Sequence, residues 1–151
     1  MVSKQSPDEA IPRILQNLQN DRPCTLWITG TSMVPFLRSE KDAVVLKAFD
    51  GQAKKGDLLL FQRANGQYVL HRIHKISKNG IYYLCGDNQT QMEPVAPEQI
   101  LATVTQIQRK GRRFSASHWL WTLLSKIWMV LFPLRPILLP ILHSIWKILK
   151  G

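Results

Sequence analysis

The chain's 151 residues suffice for one domain and no more, and 45% hydrophobic with 9% aromatic residues supply a packed core, which excludes wholesale disorder. Its net charge of +10 is unevenly spread: all ten acidic residues lie at or before Glu98, so the stretch from Arg109 onward carries +8 and the remainder only +2. Such a cationic end is expected to meet an anionic surface, while the nearly balanced front reads as an ordinary globular domain. Cys24 and Cys85 stand in no metal-ligand or redox spacing. They are expected as free thiols, since a disulfide needs both export and adjacent strands. The first thirty residues hold no apolar run of signal-peptide type.

In chain order, Ser6-Pro7-Asp8-Glu9 reads as a helix start, with Ser6 as cap and Pro7 at the first helical position. Ile11, Ile14, Leu15 and Leu18 then form one apolar stripe, and the helix is expected to end near Asn20. Pro12 argues for a later start. From 24 to 108 the pattern is β, with strands expected over 24–29, 43–48, 57–63, 67–76, 80–85 and 100–108. Asn65-Gly66 and Asn79-Gly80 are hairpin turns, and six short strands so spaced predict a small, curled antiparallel barrel. Arg109-Lys110-Gly111-Arg112-Arg113 opens a different sequence, rich in Trp, Leu and Ile, in which Lys126 and Arg135 interrupt any span of twenty apolar residues. One or two helices lying in a membrane interface are expected there, ahead of a spanning helix or a hairpin packed on the domain. The divisions are therefore 1–22, an amphipathic helix; 23–108, the β core; and 109–151, a basic, apolar helical tail.

Three places could carry chemistry. Gly30-Thr31-Ser32-Met33-Val34-Pro35 puts Ser32 in a turn at a strand end, where a hydroxyl can face a substrate but needs a base beside it. Among the four histidines, His118 and His143 fall in the tail and read as interfacial or capping residues. His71 falls inside a strand with Val69 and Ile73 on its own face. A metal pair with His74 fails, because an odd offset sends the two rings to opposite faces. Gly86-Asp87-Asn88 follows a strand, and the Asp87 carboxylate could accept from an imidazole and fix its tautomer.

Taken in order, Gly30-Thr31-Ser32-Met33-Val34-Pro35, Lys54-Lys55-Gly56-Asp57-Leu58-Leu59-Leu60-Phe61, Val69-Leu70-His71-Arg72-Ile73 and Cys85-Gly86-Asp87-Asn88 resemble the motif series of the signal peptidase I family. The resemblance runs from about residue 28 to 88, and more weakly to 108. It implies a mainly β serine peptidase core, a fold shared with self-cleaving repressors, and it needs no cofactor or metal. Ser32 matches the nucleophile. His71 stands where bacterial members carry a lysine base, and His followed by Arg resembles the archaeal and endoplasmic-reticulum branch, which uses Ser and His. The acidic motif of that branch maps to Asp87, with Glu93 as the alternative acidic residue. The implied groove residues are Gly30, Thr31, Met33 and Pro35, with Gly30 where many relatives carry a Ser. An extended precursor peptide with small residues before the cut is the implied substrate.

The family's usual N-terminal anchor is replaced here by an amphipathic helix, and the membrane-like segment is at the other end. The expected setting is an anionic membrane surface met by the 109–151 tail, on the cytoplasmic face. A self-cleaving repressor would need a DNA-binding helix-turn-helix and a scissile dipeptide before Ser32, and Cys85-Gly86 comes after it. A non-catalytic membrane-binding module retaining the fold is the other alternative. Nucleic acid is not an expected partner, because the tail's bulk is apolar.

Overall fold

The computed structural model describes residues 7–151; the cap assigned to Ser6 lies outside the described residues. Helix α1 (Pro7–Gln19) runs through Pro12, whose side chain is exposed, and buries Ile11, Ile14 and Leu18. Eight antiparallel strands follow: β1 (Cys24–Trp27), β2 (Ala43–Ala48), β3 (Leu58–Gln62), β4 (Tyr68–Ile76), β5 (Tyr82–Cys85), β6 (Glu93–Val95), β7 (Ile100–Arg109) and β8 (Arg112–Ser115). They form one sheet in the order β1-β2-β7-β3-β4-β5-β6, with β8 on β7. The sheet is mainly β and antiparallel as expected but does not close into a barrel, because its end strands β1 and β6 do not pair. β6 has three residues and includes Pro94, which lacks an N–H and suits only an edge.

The continuous Leu58-Leu59-Leu60-Phe61 run is explained by a strand buried on both faces. Leu58 and Leu60 join α1, Leu26, Leu46 and Ile107 in one core. Leu59 and Phe61 join Val69, Ile73, Leu84 and Val95 in another. Two strands escaped the sequence reading. β6 was hidden by its proline, and β8 by the basic cluster 109–113. Lys110 and Gly111 both have positive φ (51° and 76°), which makes a two-residue hairpin turn that carries the chain back along β7.

The loop between β1 and β2 carries Ser32, and its ends are tied together. Ile28 N–H donates to the Asp42 carbonyl (3.0 Å) and Glu40 N–H to the Ile28 carbonyl (2.8 Å). The fully buried Asp42 carboxylate accepts from the Arg38 N–H (2.8 Å), Nε (3.0 Å) and Nη2 (3.0 Å). Burial alone would raise the Asp42 carboxyl, but these bonds and nearby Arg109 hold it below the ordinary carboxylate range. Met33 and Leu37 anchor the loop in the core.

The tail consists of α2 (Trp119–Val130), a 3₁₀ turn (Phe132–Leu134) and α3 (Arg135–Lys150). His118 caps α2, its Nδ1 accepting from the Leu120 N–H at 3.3 Å, in line with the capping role read for it. Trp121 packs edge-on to Phe36 (centroids 5.3 Å) and against Phe114 (5.4 Å), so α2 completes the first core. Both cysteines are free; Cys85 is buried and Cys24 half-buried.

Replacing Asp42 by Ala strands the Arg38 guanidinium and unties the Ser32 loop. Urea unfolding is expected to read a loss of about 3 kcal/mol.

Candidate active site

Ser32 is half-buried in a loop with no regular structure of its own, so other elements must hold it. The turn after β5 does so. Asn88 N–H donates to the Ser32 carbonyl (2.9 Å), and Asn88 Nδ2 donates to the Thr31 carbonyl (3.1 Å). Gly86 lies so close that a Cβ built there would sit 2.5 Å from the Ser32 carbonyl oxygen. Only a glycine lets the two backbones approach this way.

His71 sits in the middle of β4, paired with Leu59 of β3 and edge-on to the Phe61 ring (centroids 6.0 Å). It is 1% exposed, yet it lines the same cleft as Ser32, a cavity of about 630 Å³ whose walls also include Gly30, Thr31, Met33 and Leu70. Among the described residues no hydrogen bond joins Ser32 to His71, although both line the cleft. Burial drives the His71 pKa down from 6.5 to about 4, with Glu93 opposing the shift and Arg63 adding to it. The ring is therefore neutral near pH 7, which is the form that accepts a proton.

The two acidic candidates occupy different places. Asp87 is fully buried and makes a bidentate ion pair with Arg72, whose Nε and Nη2 donate at 2.9 and 2.8 Å. Arg72 also donates from Nη1 to the Gly56 carbonyl (3.0 Å). Glu93, delivered by β6, stands 3.5 Å from His71 Nδ1, an atom with no hydrogen-bond partner. Arg63 grips Glu93 with Nε (3.0 Å) and Nη2 (2.6 Å). The structure thus brings Glu93 to the imidazole and commits Asp87 to an arginine. Of the expected groove residues, Gly30, Thr31 and Met33 line the cleft, whereas Pro35 lies beyond it in the loop. His74 is also buried, but against Phe132 of the tail (centroids 5.0 Å).

Sequence reasoning passed over Arg63, Asn88 and the tail residues that reach this turn. Trp128 Nε1 donates to the Asp87 carbonyl (2.8 Å). Arg135, fully buried, donates from Nη1 to the carbonyls of Gly86 and Gln89 (both 3.2 Å) and from Nη2 to that of Trp128 (3.3 Å). His143 Nε2 is 3.0 Å from Asn88 Oδ1. A lone arginine within the apolar stretch 127–142 was the available signal, since burying a guanidinium there demands acceptors.

A family model, Peptidase S24-like, matches residues 2–109, well over half of the chain. The chain belongs to the Peptidase S24-like family. Membership in that family brings serine peptidase chemistry as the activity class and agrees with the antiparallel fold. No curated protein matches the chain. The match ends at Arg109, so α2 and α3 lie outside the matched residues.

Two measurements follow from this geometry. Gly86→Ala pushes the Ser32 carbonyl aside, and the rate at which an acylating probe labels Ser32 is expected to fall about 10- to 100-fold. The acid limb of that rate should lie near pH 4 rather than 6.5, because the buried imidazole stays neutral to lower pH. Arg63→Gln should move the limb up, by removing a cation beside the ring, and Glu93→Gln should move it down.

Proposed function

We propose that this chain is a serine endopeptidase that removes a signal- or leader-type segment from a precursor peptide. Ser32 is the nucleophile, His71 the general base and Glu93 the carboxylate that orients it. The observation that carries the reading is the shared cleft: Ser32 and a neutral, carboxylate-flanked His71 open into one cavity. The signal-peptidase-like motif order, with His-Arg at 71 and 72, supports the finer assignment to precursor processing.

In the reaction, Ser32 Oγ attacks the scissile carbonyl carbon as its proton passes to the imidazole. The tetrahedral oxyanion forms next to the Ser32 backbone N–H, which donates to no acceptor among the described residues. Collapse breaks the C–N bond, and the imidazolium returns the proton to the leaving amine. Water, deprotonated by the same imidazole, then hydrolyses the acyl-serine. Glu93 stabilises the imidazolium at both steps, and Arg63 fixes the carboxylate in place. The cleft is lined by residues 28–30 after β1 and by Tyr68, Val69 and Leu70 of β4, which suits an extended substrate.

The test is intact-mass analysis after treatment with a serine-directed acylating probe. A single adduct is expected on the wild-type chain, none on Ser32→Ala, and labelling slowed at least about 100-fold in His71→Ala. Glu93→Gln should slow labelling with little change in unfolding midpoint. Asp87→Asn should instead destabilise the fold by about 3 kcal/mol, by leaving the Arg72 guanidinium buried and unpaired. A folded wild-type chain that takes no adduct would show a fold without its peptidase activity.

A further inference from the structure

The outer faces of α2 and α3 are apolar and unpartnered. On α2, Leu120, Leu123, Leu124 and Ile127 lie on one helical stripe, between 44% and 48% exposed. On α3, Ile137, Ile141, Ile145 and Ile148 do the same. The opposite stripes face the domain: Trp121, Ser125 and Trp128 on α2, and Arg135 and Leu139 on α3. A row of large apolar side chains left to water over two consecutive helices marks an interaction surface.

Charge identifies what covers it. After Glu98 the chain has eight cations and no anion. Arg135 is buried, and Lys126, Lys147 and Lys150 are exposed on the two helices, with Lys150 lying over the Trp146 ring (4.8 Å). Where α2 meets the sheet, a cleft of about 400 Å³ gathers Lys54, Lys55 and Lys126 with the hydroxyls of Ser117 and Thr122; its two carboxylates are already engaged, Asp57 by the Lys54 N–H and Asp50 by Lys47 and the Gln52 N–H. Apolar stripes edged with Trp and Lys match the boundary between headgroups and acyl chains. The second copy of the chain that could cover such a face would bring its own +10 against this one.

The segment Phe132–Lys150 is long and apolar enough to cross a bilayer. Its contacts oppose that placement. Arg135, at its start, donates to the Gly86 and Gln89 carbonyls after β5 and to the Trp128 carbonyl of α2, and His143, at its middle, reaches Asn88. A crossing helix would pull both polar side chains off the domain and into hydrocarbon, where neither has a partner. We propose that α2 and α3 lie flat in an anionic membrane surface, outer stripes in the acyl boundary, while their inner stripes hold the Gly86–Asn88 turn and so seat the Ser32 cleft beside the lipid headgroups. A precursor whose leader rests on the same surface would reach the cleft without leaving the membrane.

The test uses the full chain with vesicles of phosphatidylcholine alone or mixed with phosphatidylglycerol. Co-sedimentation is expected to be at least about tenfold tighter on the mixed vesicles, to weaken as salt rises, and to be reversed by alkaline carbonate. Leu124→Glu/Ile141→Glu should lose that binding by about tenfold or more. It should keep wild-type Ser32 labelling in solution, which separates failure of this proposal from failure of the peptidase reading. Equal or absent binding to the two vesicle types overturns the proposal. So does resistance to carbonate, which marks a spanning helix, or a self-assembled species in light scattering that the double variant dissolves without any effect on vesicle binding.

Discussion

The short contact between the Gly86–Asn88 turn and the Ser32 loop is the constraint on which the site depends. The loop has no ladder of its own, and two hydrogen bonds from Asn88 fix the carbonyls of Thr31 and Ser32. Everything behind that turn serves to stiffen it. Arg72 clamps the Asp87 side chain from β4, Trp128 takes the Asp87 carbonyl from α2, and Arg135 takes those of Gly86 and Gln89 from α3. The carbonyls of Gly86, Asp87 and Gln89 each thereby gain a side-chain donor, and both donors, Trp128 and Arg135, are themselves buried. Ser32 is thus placed through hydrogen bonds to the backbone carbonyls of its loop.

Electrostatically the site separates two carboxylates by giving each its own arginine. Asp87 with Arg72 is a fully buried, bidentate pair, and its role is architectural. Glu93 with Arg63 is about one-third exposed and lies beside His71, so its charge can answer a proton arriving on the ring. Arg63 has a double effect. It holds Glu93 at the imidazole, and its own charge helps keep the imidazole neutral at rest. The His71 imidazole is thus kept neutral by burial while the Glu93 carboxylate already stands 3.5 Å from its Nδ1.

Much of this architecture was legible in local sequence. The stripe at Ile11, Ile14 and Leu18 gave α1, and the six β segments all became strands, because turn glycines and alternating or continuous apolar runs act within a few residues. Closure of the sheet was not legible, since it depends on whether two ends distant in sequence meet. β6 was invisible because three residues including a proline carry no periodic signal. Without β6 nothing brings Glu93 to β4, and the resemblance to the family's acidic motif favoured Asp87 over Glu93. The pairing of each acid with its arginine is likewise a long-range fact. Arg63 and Glu93 are 30 positions apart, and Arg72 and Asp87 are 15 apart.

The tail shows why composition alone could not settle its disposition. Its sequence meets the length and hydropathy of a spanning helix over Phe132–Lys150, and its inner polar residues looked like interruptions in an apolar run. In the fold two of those interruptions are the attachment: Arg135 donates to the Gly86 and Gln89 carbonyls, and His143 meets the same asparagine that holds Ser32. A helix of this kind has two specifications written into one sequence. The polar stripe is matched to the turn after β5, and the apolar stripe to whatever lies outside the domain. Losing either face has a different consequence. An altered outer stripe leaves the turn held, whereas an altered inner stripe frees residues 86–88 and, through Asn88, the loop that carries Ser32.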